Sequence, residues 1–456
     1  MSNNKPTRPK GTRDFAPAEV SKRQYMLDII KQVFTKFGFQ PLETPAMENL
    51  SVLTGKYGDE GDKLLFKILN SGDFLAHLKH DLGSYTSQTL LPEIAEKGLR
   101  YDLTVPFARY VVMNRHELTL PFRRYQIQPV WRADRPQKGR YREFVQCDAD
   151  VIGTDSLLCE AEIIMMLNEI MAELGIEGYE IALNSRKLLA GLSQYLGHPD
   201  KEGPLCVAID KLDKIGREKV HDELRQQGFD EQALTRLTPV LDIKGSNNDK
   251  LETLGKLLTN EEAAAGLQEI KEVFEITENM GGALQHVSFD PALARGLSYY
   301  TGIIFEVRLL DGSMGSICGG GRYDNLTGVF GWPGVSGVGI SLGIDRIYDV
   351  MQNRGLFPAT SSQTTQVMLV NFGEENLAYV LPLLGQLRQA GIRAVLYPDN
   401  AKMKKQLSWA NKNGIPLVLI AGSAEVKKRT VSLKNMTTGN QQVLPVEDVV
   451  TTIKQA

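Results

Sequence analysis

The stretch RYQIQPVWRADRPQKGRYREFVQCDADVIG, residues 124–153, constrains the fold more than any other part of this chain. Its second half alternates without a break. Val145, Cys147, Ala149 and Val151 fall on one side, and Gln146, Asp148 and Asp150 on the other, because successive side chains of a strand point to opposite faces. The first half alternates similarly, with Tyr125, Ile127, Pro129 and Trp131 opposite Gln126, Gln128 and Arg132. Pro136 and Gly139, both turn residues, lie between the halves. The pattern predicts a hairpin whose long loop carries Arg135, Lys138, Arg140 and Arg142. One strand then offers carboxylates and an amide, while the loop and the other strand offer guanidiniums. Two readings stay open: a surface that holds a zwitterion beside a polyphosphate, or a solvated face with surface salt bridges of little weight.

A chain of 456 residues has room for two to three domains, each with its own core. Its 42% hydrophobic and 23% charged residues are ordinary for a globular protein in water. The start, MSNNKPTRPKGTRDFAP, lacks the apolar core of a signal peptide, and no apolar run reaches membrane-spanning length. Cys147, Cys159, Cys206 and Cys318 form no CxxC pair, and none sits near histidines at metal-ligand spacing. The expectation is a cytoplasmic enzyme in a reducing compartment, without structural zinc and without a membrane partner. The net charge of −3 announces no nucleic-acid partner. Residues 366–456, however, carry 11 Lys/Arg against 6 Asp/Glu, leaving 41 basic and 49 acidic residues elsewhere. This split fits a nucleic acid touching the C-terminal part, and equally an uneven surface.

Residues 18–37 predict a helix, with Met26, Ile29, Ile30, Val33 and Phe37 at helical spacing and Gly38 as the stop. Pro41 and Pro45 then favour an extended edge or interface strand. LTGKYG at 53–58 has a Gly-Lys pair without the rest of a P-loop. YDLTV at 101–105 alternates again and predicts a strand with Asp102 and Thr104 on one face. Residues 155–174 predict an apolar helix. From 184 to 285 the chain is charged and helix-leaning, and its His198, His221 and His286 are isolated. In FDPALARGLSYYTGIIFEVR, residues 289–308, Arg295 precedes Gly296, and Tyr299 and Tyr300 are expected to open a strand, one of the pair being core. CGGGRYDNL at 318–326 allows either a flat ligand or a tight turn at its glycines. Gly337-x-Gly339 is a poor dinucleotide fingerprint. A strand running into a helix at Gly343 fits better, and it sets Arg346 on the first turn, where amide dipoles attract phosphate. Residues 358–366 are linker-like, and a small α/β pattern with a terminal hairpin follows.

Arg132, Arg295, Arg346 and the basic loop supply charge for phosphates, while Asp102, Gln146 and Asp150 suit an amine and a second polar group. A carboxylate attacking the α-phosphate of ATP is already ionised at neutral pH and needs no base. It needs alignment and charge neutralisation, which such a surface provides. Amino-acid activation therefore fits better than hydrolysis, for which no Ser-His-Asp or Cys-His order stands out.

These residues carry a resemblance. KGTRDFAP, the Pro45 segment and VWRADRPQKGRYREFVQCDAD resemble the entry, motif 1 and motif 2 of class II aminoacyl-tRNA synthetases, and LGIDR resembles motif 3. LARGLSYYTG and GGGRYDNL resemble the histidyl-tRNA synthetases specifically, and the likeness spans essentially the full length. One position departs from the pattern: Ser298 stands where the family commonly has Asp. The resemblance implies an α+β fold, with a six-stranded antiparallel catalytic sheet built from 1–184 and 286–357. It further implies a helical insertion at 185–285 over the acceptor stem, an α/β anticodon-binding domain at 366–456, and a homodimer formed through motif 1. It implies L-histidine, ATP with Mg²⁺ bridging its phosphates, and the cognate tRNA as ligands. Arg132 would contact the α-phosphate and the histidine carboxylate, and Arg295 would stabilise the α-phosphate from the opposite side. Asp102, Thr104 and Gln146 would hold the α-amino group. Asp150 and Tyr300 would bind the imidazole nitrogens with Tyr299 packed beside them, and Arg142 and Arg346 would grip adenine and polyphosphate. Two rivals share the fold: the regulatory paralogue of ATP phosphoribosyltransferase, which lacks the RGLxYYTG segment, and an RNA-binding module on a dead synthetase fold.

Overall fold

A computed structural model describes residues 5–56, 58–76, 78–137, 140–294, 299–362 and 365–455. The chain divides into two compact units, Met1–Asp14 with Met26–Leu356, and Phe15–Tyr25 with Phe357–Ala456.

In the first unit four short strands come first: β1 Gln40–Pro41, β2 Met47–Asn49, β3 Lys67–Ile68 and β4 Lys97–Leu99. Two long ones follow, β5 Phe122–Trp131 and β6 Glu143–Ile152, then β7 Tyr179–Ser185, β8 Val287–Phe289, β9 Ile303–Leu309, β10 Cys318–Tyr323 and β11 Gly337–Gly343. Eight of these make one sheet in the order β1-β5-β6-β11-β10-β9-β7-β8, while β2, β4 and β3 form a small separate one. The six central strands are antiparallel, as the resemblance implies. A short parallel strand is added at each edge, β1 beside β5 and β8 beside β7.

The hairpin forms as its alternation predicts, in unbroken register from Phe122↔Ile152 to Trp131↔Glu143. Its solvated-face reading fails. The apolar side is covered, with Cys147 and Ala149 fully buried and the Phe34 ring 5.5 Å from that of Tyr125. The polar side is covered too: Asp148 is 2% and Asp150 4% exposed, and Arg124 and Gln126 are fully buried. Phe34 belongs to the helix Pro17–Lys36, whose Met26, Ile30 and Val33 share its buried stripe.

Two local expectations are corrected. Residues 101–103 are not a strand, and the helix Thr104–Met113 begins where alternation continued on paper. The Asp102 carboxylate accepts from the Val105 amide at 3.1 Å, and Pro106 occupies the first turn, where its missing N–H costs nothing. A cap and a proline outweigh five residues of period two. Tyr299 and Tyr300 likewise precede β9 rather than open it. Thr301 turns its hydroxyl to Asp324 at 2.6 Å, and Gly302 lies against the Arg322 side chain, so pairing starts only at Ile303.

Between Arg186 and Asn279 the described residues form helices only, the longest being Glu261–Asn279. This helix crosses Arg186–Tyr195 at backbone contact. A Cβ on Gly266 would stand 2.5 Å from the Leu188 amide nitrogen, so glycine is required there.

The second unit pairs β12 Val367–Leu369, β13 Ala394–Leu396, β14 Leu417–Ile420, β15 Thr430–Asn435 and β16 Gln441–Pro445 in the order β13-β12-β14-β15-β16. Val367, Leu369, Leu417 and Leu419 pack against Val380, Leu383 and Leu387 of the helix Glu374–Gln389. Their alternates Met368, Val370, Val418 and Ile420 pack with Ala410 of the helix Met403–Lys412 on the other face. The result is a three-layer α/β/α body.

Candidate active site

Register lays the polar residues of the first unit's sheet in rows. Arg124, Asp150, Gly339 and Gly321 are successive partners across β5, β6, β11 and β10. Gln126, Asp148, Ser341 and Gly319 form the next row, and Gln128, Gln146 and Gly343 the third. Partners in a row share a face. The face is therefore charged over β5 and β6 and cleared by glycines over β10 and β11. The clearance is needed, since a Cβ on Gly339 would overlap the Asp150 carboxylate and one on Gly321 would meet the Tyr300 ring at 2.8 Å.

Asp150 is held at both oxygens. Arg124 Nη2 lies 2.8 Å from Oδ2, and the Tyr323 hydroxyl donates to Oδ1 at 2.7 Å. The guanidinium also lies over the Phe107 ring, 4.3 Å from its centroid. Asp148 shares this buried ground, and the Asp102 carboxylate is close enough to act on it. Burial, with the Asp150 charge adding to it against the opposing pull of Arg124, pushes Asp148 up to about 7. Burial also raises Asp150, opposed by Arg124 and the Tyr323 hydrogen bond. Tyr323 is pushed well above its usual value by burial and by the Asp150 charge. Asp150 and Asp148 thus share one buried face with a single guanidinium, an arrangement suited to an incoming ammonium group.

Gln146 Nε2 donates to the Ser341 hydroxyl at 3.2 Å, and its Oε1 has no donor among the described residues. Thr104 opens the helix behind Asp102. Tyr300 is buried with its ring over Gly321, and the Tyr299 ring lies 4.7 Å from it, packed against the cluster of Val105, Ala108, Tyr323 and Leu326. Arg132 stands at the end of β5, its Nε donating to the Tyr101 carbonyl at 3.0 Å and its guanidinium over the Tyr101 and Phe144 rings. No ion pair among the described residues uses it, so its charge is available to an anion. Arg142 donates to the Asp134 carbonyl at 3.0 Å, packs on Gly11, and shares the loop with the Arg140–Asp134 ion pair. Arg346 is exposed on the first turn of Ile344–Asn353, with its stem beside Gly343 in the Gln146 row. Arg295, Gly296, Leu297 and Ser298 lie outside the described residues, as do Lys138 and Gly139.

Asp102, Gln146, Asp150 and Tyr300 therefore surround one face, with Arg132 and Arg346 toward its ends. Sequence reasoning missed Arg124, Tyr323 and Ser341, whose places follow from strand register alone. Ion pairs elsewhere are structural, chiefly the buried bidentate Arg322–Glu160 pair at 2.6 and 2.7 Å. His286 stacks on Tyr179, and His198 packs at a tilt against Phe229. Among the described residues no group of three His, Cys, Asp or Glu could hold a metal, and no helix is long and apolar enough to cross a membrane.

A family model described as Histidyl-tRNA synthetase matches residues 93–347, and one described as an anticodon binding domain matches residues 366–456. The two together define a class, the aminoacyl-tRNA synthetases. The chain is 56% identical to the Histidine--tRNA ligase of Cytophaga hutchinsonii over 98% of its own length and 99% of the relative's. It is 55% identical to that of Porphyromonas gingivalis, with 97% and 98% covered. The crystal structure of histidyl-tRNA synthetase from Nostoc sp. PCC 7120 superposes with a TM-score of 0.84 at 32% identity, covering 98% of this chain and 99% of that one. A Bacillus halodurans structure titled ATP phosphoribosyltransferase regulatory subunit/histidyl-tRNA synthetase shares the fold, with a TM-score of 0.72 at 21% identity over 91% of this chain and 99% of that one. The chain belongs to the histidyl-tRNA synthetase family, whose members are ligases that use ATP.

Proposed function

We propose that this chain activates L-histidine with ATP on the polar face of β5, β6, β10 and β11 and then transfers histidine to the 3′ end of its cognate tRNA. The observation that carries this reading is Asp150, a buried carboxylate fixed by Arg124 and Tyr323 on a face that glycines keep open. The histidine carboxylate attacks the α-phosphorus of ATP. The new carboxyl–phosphorus bond replaces the bridge to the β-phosphate, and pyrophosphate leaves. A terminal ribose hydroxyl of tRNA then attacks the carbonyl, and AMP departs.

Arg132 neutralises the α-phosphate and the histidine carboxylate, and Arg295 acts from the opposite side. Asp102, Thr104 and Gln146 hold the α-amino group. Asp150 and Tyr300 read the imidazole, with Tyr299 as the wall. Arg142 and Arg346 hold adenine and polyphosphate, and Mg²⁺ arrives on the ATP phosphates. Residues 1–184 and 286–357 act as the catalytic domain, 185–285 lies over the acceptor stem, and 366–456 reads the anticodon. The working form is a homodimer in the cytoplasm, joined through residues 41–50, where Met47 is 55% exposed. ATP–pyrophosphate exchange tests the reading: it should require L-histidine, and exchange without histidine, or with any amino acid alike, overturns it.

A further inference from the structure

Several buried acceptors on the sheet lack a hydrogen-bond donor among the described residues, and two of them are register partners. Gln126 Oε1 and Asp148 Oδ1 have no hydrogen-bond partner among the described residues, yet Gln126 and Asp148 are register partners on one face of β5 and β6. An unpaired acceptor costs about 1–3 kcal/mol when buried, so two such acceptors on neighbouring register partners would both be satisfied by one shared proton. Gln126 cannot supply it, because its Nε2 is committed to Thr44 Oγ1 at 2.8 Å and Gln128 Oε1 at 2.6 Å. The carboxyl can. Across β11 the Ser341 hydroxyl hydrogen-bonds Asp148, while its oxygen receives Gln146 Nε2 at 3.2 Å.

We propose that Asp148 is a positioning residue of the amino-acid site, which shares a proton with Gln126 and through Ser341 fixes the amide orientation of Gln146. A hydroxyl that donates to Asp148 can only accept from Gln146, so the glutamine must present Nε2 to Ser341 and Oε1 to the ligand. Oε1 is the atom without a donor, and an α-ammonium supplies one. Remove the carboxyl and Ser341 can turn its proton toward Gln146, which lets the amide flip and offer N–H to an ammonium.

Burial is the main influence toward the neutral form of Asp148. Asp150 on β6 and Asp102 ahead of Thr104–Met113 add to it, while Arg124 on β5 and the Ser341 hydroxyl on β11 oppose it.

The inference rests on the histidine-activating role, and one experiment separates the two. Exchange kinetics are measured for the full-length chain and for Asp148→Ala, Asp148→Asn, Ser341→Ala and the Asp148→Ala/Ser341→Ala pair, varying histidine and ATP in turn. Asp148→Ala and Ser341→Ala should each raise the KM for histidine roughly 5- to 10-fold, the scale of one hydrogen bond, with that for ATP moving under ~2-fold. The double variant should match a single one, because both break one relay. Asp148→Asn, which can donate to Gln126 and accept from Ser341, should recover most of the affinity. An Asn variant as impaired as Ala shows that the carboxylate charge matters and overturns the proposal. Additive single effects, or lowered thermal stability with unchanged KM values, overturn it as well. No histidine-dependent exchange in the unaltered chain would defeat the parent reading instead.

Discussion

Asp150 has two partners inside the protein before any ligand arrives, so its replacement tests recognition and architecture together. Asp150→Asn should raise the KM for histidine ~10-fold or more, the weight of one charge-assisted hydrogen bond, and move that for ATP much less. Equal effects on both substrates would assign the carboxylate to Arg124 alone. The variant also leaves Arg124 buried without its counter-ion, which costs about 3–5 kcal/mol, so the melting temperature should fall in parallel. Asp148 is tested by pH. Its folded pKa, raised from 3.8 to about 7, means the folded chain keeps a proton that the unfolded chain has lost between those values. Stability from this group is complete below pH ~4 and is lost as pH rises through ~7. Asp148→Asn should therefore gain on the unaltered protein from pH 5 to pH 8 in thermal melts; a pH-independent difference would refute this. Gln146 and Asp150 were legible in the sequence because alternation is local. Arg124 and Tyr323 were not, because the register that brings them to Asp150 joins residues far apart in the chain.

β11 shows what an element contributes beyond its side chains. Gly339→Ala should abolish histidine-dependent exchange, since the new methyl group displaces the Asp150 carboxylate. Exchange at the unaltered rate would show that the cleared face has no role. Gly385 makes a useful contrast: it lies within the helix Glu374–Gln389, with open space where a Cβ would go. Gly385→Ala should stabilise the second unit by about 0.5–1 kcal/mol, read in denaturant melts, because alanine loses less freedom on folding. The β5–β6 hairpin, β11 and the C-terminal α/β body were legible through period and turn residues, whereas β7 went unread and β10 looked like a turn because of its three glycines. The helix at Thr104 was not, because a five-residue alternation looks like a strand until its cap and proline are weighed. The edge strand β1 was signalled by Pro41 rather than by period, and β8, three residues long, carries no periodic signal at all.

At the scale of the molecule, removal of residues 358–456 should spare exchange and greatly reduce tRNA charging. It should also flatten the salt dependence of tRNA binding, because Lys402, Lys404, Lys405, Lys427, Lys428 and Arg429 leave with it. Undiminished charging would assign the segment another role. Light scattering should give a particle of about twice 50.6 kDa, and a single-chain mass at micromolar concentration would refute the dimer. Residues 15–25 belong with the C-terminal unit, where the Tyr25 ring meets Phe357 edge-on at 6.4 Å and Lys22 lies over the same ring. That membership sets an order of events during synthesis. The first piece of the unit leaves the ribosome at the start of translation and waits for its partners until the end. A product that ends before residue 357 therefore leaves Tyr25 without its Phe357 contact.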